Sequence, residues 1–182
     1  MSTTTTAAPT ASDLKDRIAD LEKELEDQHT NAASAKDAVA FAFAHGSDPT
    51  AVLEALHQEE SIVAGMVGAL AMLDAQWFET ASAEFRAGVK AINDETDKAY
   101  GEAKGALESA ITANLSPILK KYGVDNADLL GDFKDGVLQG AWEILSARGA
   151  DKLRALGTAP NTPFERDEMG HPAKPAIMQG AY

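Results

Sequence analysis

The chain contains no cysteine, and several other residue types are scarce. Without cysteine there is no disulfide framework, no thiolate metal ligand and no cysteine nucleophile. Aromatic residues make up 6% of the 182 residues, and Leu, Ile, Val and Phe together number 36. That share, about one fifth, lies near the lower limit for chains that fold independently. We therefore expect a thin core that other copies of the chain or another protein complete.

Basic residues are also few, since 16 Lys and Arg stand against 29 Asp and Glu, for a net charge of −13. Nucleic acid binding needs a positive surface, but only Lys120 and Lys121 are adjacent. We therefore expect no nucleic acid partner. An anionic membrane surface would repel the chain for the same reason.

The sequence lacks a long hydrophobic run. Ile62–Leu73 spans twelve apolar residues, whereas a bilayer crossing needs about 20. We therefore interpret it as a buried helix and expect no transmembrane segment. The N-terminal sequence MSTTTTAAPTAS has no apolar h-region, so no signal peptide for secretion is recognisable. The expected location is a virion or the cytoplasm.

Helical spacing of apolar residues fills most of the chain, and no convincing strand pattern appears. Alanine supplies 35 residues. We predict an all-α fold of long antiparallel helices, a helical hairpin or coiled-coil bundle, between an N-terminal arm at residues 1–12 and a Pro-rich C-terminal arm at 158–182. The helical domain is 13–157. Its expected helices are 13–44, 49–92 with an extension to 114 left open, 117–122 and 126–156.

The first helix carries apolar positions that alternate four and three residues apart, which is a heptad seam about four repeats long. Its positions are Leu14, Ile18, Leu21, Leu25, Gln28, Ala32, Ala35, Val39 and Ala42. We interpret the first four as interface residues. Two interpretations remain open: the helix folds back on its own chain, or it forms an intermolecular coiled coil.

Two glycines, Gly65 and Gly68, lie inside the apolar stretch Ser61–Leu73 and on nearly the same helical face. A glycine in a helix interior costs about 1 kcal/mol relative to alanine. A close helix crossing would compensate that cost. We therefore predict that both glycines belong to a packing interface, whose partner the sequence does not identify.

The last residues change character. Pro160, Pro163, Pro172 and Pro175 are incompatible with regular helix. Isolated apolar residues, of which Phe164, Ile177 and Tyr182 are interface candidates, are suited to docking in pockets on another surface. The alternatives are a docking arm and a solvated tail.

A metal-binding spacing, Glu-x-x-His, occurs at Glu54 and His57 and again at Glu168 and His171. Pairs of such motifs on facing helices build the di-iron sites of ferritin-like bundles. The second copy contains Gly170 and precedes Pro172, which disfavours a helix there. We expect no metal site, no cofactor and no catalytic residues; Glu54 and His57 are the residues that would supply a metal site if one existed.

Long, acidic, alanine-rich helices bracketed by extended ends resemble accessory structural proteins of bacteriophage capsids, heads or tails. The resemblance is architectural and has no motif behind it. The leading hypothesis is a non-enzymatic assembly protein, a helical subunit of a larger homo- or hetero-oligomeric particle with protein partners. One alternative is a ferritin-like metal-binding bundle. Another is an amphipathic coat on a lipid or polymer granule.

Overall fold

The computed structural model describes residues 8–123, 127–161, 166–167 and 169–172. Over these residues the protein is helical without a β-strand, which confirms the all-α class. The elements are α1 (Ala11–Ala44), α2 (Thr50–Ala110), a π-helical turn (Ile111–Leu115), α3 (Ser116–Lys121) and α4 (Ala127–Leu156). The side chains of 127–129 fall outside the description, as do the predicted interface residues Phe164, Ile177 and Tyr182.

Local side-chain chemistry sets the ends of α1. Thr10 caps the helix by accepting a hydrogen bond from the backbone of Asp13, whose carboxylate accepts one from the Thr10 backbone in return. This reciprocal pair satisfies two N–H groups that a helix start leaves open. At the other end, Gly46 takes a positive φ of 66°, and Asp48 accepts the Thr50 backbone N–H at the start of α2.

The helix α2 is 61 residues long and continues through Asn93 and Asp94 without a break. The π turn follows it, and the Ser116 backbone donates to the carbonyl of Ile111, five residues earlier. Pro117 has no N–H and its ring crowds the preceding carbonyls. We attribute the π-helical turn to Pro117, because this residue prevents the regular α-helical hydrogen bond at its own position.

The chain divides into two compact units, Met1–Ala83 with Pro160–Tyr182, and Glu84–Ala159. In the first unit, the nine seam positions of α1 are all buried or half-buried. Gln28 in the seam donates a hydrogen bond to Glu59 of α2. Leu21 lies beside Leu73 along a shared groove. Contacts therefore run in opposite order along α1 and the first part of α2.

In the second unit, α4 lies against the later part of α2. Lys152 pairs with Glu95, and Lys134 pairs with Glu108, each at 2.6 Å. The Trp142 ring meets Tyr100 edge-on, with centroids 5.2 Å apart. These pairs also run in opposite order along the two segments.

Few side chains are fully buried. Among the described residues the buried hydrophobic side chains are Leu14, Leu25, Ala42, Leu70 and Leu138. Within Ser61–Leu73 this leaves only Leu70 fully buried, whereas the sequence predicts a buried helix there. The difference arises because α1 covers only one face of α2, so the opposite face of the same stretch is exposed.

Candidate functional site: an arginine-anchored loop and open apolar faces

The tail folds onto the first unit through Arg166. Its guanidinium side chain is 5% exposed and lies between α1 and α2. It donates two hydrogen bonds to Asp74 of α2, one of them 3.0 Å long, and a third of 2.8 Å to Glu22 of α1. The same guanidinium donates to the carbonyl of Gly170, at 2.6 Å. A planar guanidinium suits this forked recognition of carboxylates.

The residues that follow Arg166 form a turn that we call the Arg166 loop, comprising 166–167 and 169–172 of the described chain. The Asp167 carboxylate accepts the backbone N–H groups of Met169 and His171, each at 2.9 Å. An isolated β-bridge joins Arg166 to Pro172. The carbonyl of Met169 lies 2.9 Å from Nε2 of His29 on α1. The loop is thus ordered by its own bonds and by contacts with α1 and α2.

Gly170 is the point of closest approach between the loop and the helices. It is buried and has a positive φ of 81°. A Cβ at this position would lie 2.4 Å from Leu25 and 3.3 Å from Val67. Only glycine satisfies both the backbone conformation and the space. The loop therefore covers the apolar seam where Leu25 of α1 meets α2.

Electrostatics favour the charged forms in this site. Hydrogen bonds and charge attraction from Asp74, and then from Glu22, raise the pKa of Arg166 against the opposing effect of burial. The backbone N–H of His171, followed by that of Met169, lowers the pKa of Asp167. The site thus combines a buried cation, its carboxylate partners and a hydrogen-bonded loop, which are groups suited to binding a peptide segment.

Among the described residues, the glycines predicted to lie in an interface have no packing partner. Apart from the adjacent residues and the backbone of α2 itself, no atom of the described residues lies within 4 Å of the position that a Cβ would take at Gly65 or Gly68. Met72, one to two turns further along the same face, is 76% exposed. We call this face of α2 the glycine stripe: Ser61, Gly65, Gly68, Met72 and Ala75, all exposed. It carries no charge over four turns.

Other large apolar side chains are also exposed, and two groups of them lie on α1 and α4. Phe41 and Phe43, near the end of α1, are 64% and 62% exposed, and the Phe41 ring stacks on His45 at 3.9 Å. On α4, Phe133, Val137 and Ile144 share a helical face and are each at least 41% exposed. A compact monomer seldom leaves so many large apolar groups in water.

Among the described residues, the candidate metal ligands Glu54 and His57 are not brought together with other ligands. Glu54 and His57 are both exposed on α2. Over the part of the chain that the structure describes, no group of three or more His, Cys, Asp or Glu side chains could hold a metal ion. Glu168 of the second motif lies outside that part, and His171 is exposed.

By length and composition, the helical segment Thr50–Lys121 could cross a membrane. Its most apolar window has a mean hydropathy of 1.4 and is 6% buried. Core helices of soluble proteins also meet this criterion of length and composition.

Sequence reasoning missed the anchoring role of Arg166, Asp74 and Glu22. A local signal was present, since an arginine and an aspartate precede the turn residues Gly170 and Pro172 in an otherwise acidic chain. The carboxylates that receive the arginine lie 92 and 144 residues away, and no local pattern marks them. Comparison with protein-family models, with curated proteins and with solved structures finds no match for this chain.

Proposed function

We propose that this protein is a non-enzymatic structural subunit, which associates with further copies or with another protein in a larger helical particle. The observation that carries the proposal is the open glycine stripe of α2, where Gly65, Gly68 and the exposed Met72 form one uncharged face. The proposal includes the finer architecture of two antiparallel helical hairpins, which the reversed order of contacts in each unit supports.

The glycine stripe carries a cost in helix stability. Two interior glycines weaken α2 by about 1 kcal/mol each, and no close contact with another described residue offsets that loss. A second backbone packed on the stripe would offset it, because small residues allow helices to approach closely. The stripe is also uncharged, so two copies can approach each other there without the repulsion that a net charge of −13 causes elsewhere on their surfaces.

Further apolar faces support the same function. The pair Phe41 and Phe43, and the α4 face with Phe133 and Ile144, lie in different units of the chain. A subunit with several such faces can contact more than one neighbour. Accessory subunits of bacteriophage heads and tails, which this architecture resembles, are one setting for such a protein; the virion or the cytoplasm is then its location.

Bulky substitutions in the stripe test the proposal. Gly65→Leu and Gly68→Leu should abolish association through overpacking of about 1 to 3 kcal/mol per contact, while the helices persist. Gly105→Leu is the matched control, because Gly105 is also exposed on α2 with nothing within 4 Å. Light scattering should give a multiple of 19.2 kDa for the wild type and the control. Association between copies is refuted if the wild type is a single copy, or if the stripe variants keep its mass.

A second candidate function is a coat on a lipid or polymer surface. It is favoured by the apolar, largely exposed window within Thr50–Lys121. Helical content and sedimentation with neutral lipid vesicles should then increase together as lipid is added. Unchanged circular dichroism and no co-sedimentation would rule this function out.

A further inference from the structure

The Arg166 loop holds its shape through bonds among its own residues. The Asp167 backbone donates to the carbonyl of His171 at 3.0 Å, and the Gly170 backbone donates to the carbonyl of Asp167 at 2.9 Å. The Asp167 carboxylate accepts two more backbone N–H groups within the loop. A loop organised in this way loses little conformational entropy on docking. Its shape does not depend on which copy of the helices receives it.

The surface that receives the Arg166 side chain has the opposite charge. Asp74 is 18% exposed and Glu22 is 43% exposed, and together they surround a guanidinium that is 5% exposed. We call these two carboxylates, with the Leu25 surface under Gly170, the loop receptor. Between copies of a chain with net charge −13, a cation that enters an acidic site adds attraction. Arg166 in the loop receptor is such a cation.

The covalent connection between loop and receptor is indirect. The receptor belongs to Met1–Ala83, whereas the chain reaches the loop only after passing through the second unit, Glu84–Ala159. A stretch that starts at Gly157, with φ of 89°, and includes Pro160 leads from α4 to the loop. The loop is therefore held in its receptor by noncovalent contacts, and the loop of another copy offers the same contacts.

We propose that the Arg166 loop of one copy occupies the loop receptor of a second copy, so that exchanged tails link subunits. This inference rests on the proposed function and identifies one of the contacts within the assembly. Exchange replaces each contact within one chain by an identical contact between two chains. The equilibrium between the exchanged and unexchanged forms therefore depends mainly on protein concentration and on the stretch that connects α4 to the loop. The occupant is thus a second copy of this chain.

Crosslinking between introduced cysteines tests the exchange, because the natural chain has none. His29 and Met169 are adjacent across the docked loop. Full-length His29→Cys and Met169→Cys chains are mixed and treated with a short bismaleimide. A covalent dimer, twice 19.2 kDa, should form in about tenfold higher yield than with Ala40→Cys in place of His29→Cys. Ala40 is exposed on α1 and lies about 16 Å further along the helix.

Adding Arg166→Glu to the Met169→Cys chain should reduce the dimer to the Ala40→Cys level. Arg166→Lys keeps the positive charge but not the forked guanidinium, so it should reduce the yield of dimer only in part. Circular dichroism checks that both variants keep their helices. The proposal is overturned if the double variant His29→Cys/Met169→Cys crosslinks only within one chain, or if Arg166→Glu leaves the dimer unchanged. Light scattering on the wild type distinguishes failure of the proposed function from failure of this inference. If the wild type associates but gives no exchange crosslinks, the proposed function stands and this inference is wrong.

Discussion

Three residues of the Arg166 loop each meet a requirement that few other residues meet. Arg166 supplies a fork that reaches Asp74 and Glu22 together. Asp167 gathers backbone N–H groups of the turn, and Gly170 combines a positive φ with a close approach to Leu25. Each requirement follows from individual atoms, so single substitutions at these positions are informative.

Substitution of Gly170 by alanine should release the loop from the helices. A positive φ costs a residue with a Cβ about 1 to 2 kcal/mol, and the contact with Leu25 adds an overpacking cost of about 1 to 3 kcal/mol. Gly46→Ala is the control, since Gly46 has a similar φ but nothing within 4 Å. Urea unfolding should show the larger loss of stability for Gly170→Ala; equal losses would mean that the Leu25 contact is unimportant.

Acid should disorder the loop through Asp167. The backbone N–H of His171, and then that of Met169, holds the pKa of this carboxyl below its ordinary value. Because the pKa of Asp167 is lower in the folded state, its carboxylate contributes fully to stability above the pKa of the unfolded state, about 3.9. This contribution disappears as the pH falls through the pKa of the folded state. The amide NMR shifts of Met169 and His171 should report this transition below about pH 4. In Asp167→Asn, which does not titrate, the same shifts should stay constant over that range.

At the scale of elements, the two helical pairs bury one face each and rely on small residues for their closest contacts. In the second unit, a Cβ at Gly149 of α4 would lie 2.9 Å from Oγ1 of Thr96 on α2. Thr96 in turn donates to the carbonyl of Ile92. Gly136 of the same helix is exposed and has nothing within 4 Å. The two glycines therefore report on opposite faces of α4.

A leucine at Gly149 should force α4 away from α2. We expect a loss of about 1 to 3 kcal/mol from overpacking. At Gly136, leucine should instead stabilise the isolated chain by just under 1 kcal/mol, because it favours the helix more than glycine does. Thermal unfolding followed by circular dichroism compares the two variants. A similar effect at both positions would contradict the contact between Gly149 and Thr96.

For the whole molecule, the thin core makes the Arg166 loop part of the fold rather than an appendage. Leu25 and Leu70, which are among the few fully buried residues described, lie directly beneath Gly170. Removal of residues 158–182 would expose them and would leave Asp74 and Glu22 without Arg166. Apolar exposure destabilises a protein in proportion to the area uncovered.

We therefore expect the chain ending at residue 157 to keep its helical signal, because α1, α2 and α4 all end before that residue. Its urea midpoint should fall and its mass in solution should decrease, since both the seam cover and the exchanging loop are gone. Circular dichroism and light scattering measure the two effects. The single substitution Arg166→Glu should cause part of the fall in urea midpoint and part of the decrease in mass. A truncated chain with unchanged stability would show that the tail does not cover the seam.

The sequence by itself determined the all-helical class and which side of α1 is apolar. Helical hydrogen bonds join residues four apart and side chains repeat along one face, so both features are written in short stretches of sequence. The nine seam positions, from Leu14 to Ala42, are buried or half-buried in the structure.

Only the tertiary structure decided which faces are covered and what the tail meets. The pattern at Gly65 and Gly68 predicts a packing interface, but it is the same whether the partner lies within the chain or outside it. In the structure, no described residue packs against either glycine. Arg166 meets Asp74 and Glu22 across 92 and 144 residues. No local periodicity encodes such a distance, because it is set by how α1, α2 and the returning tail pack together.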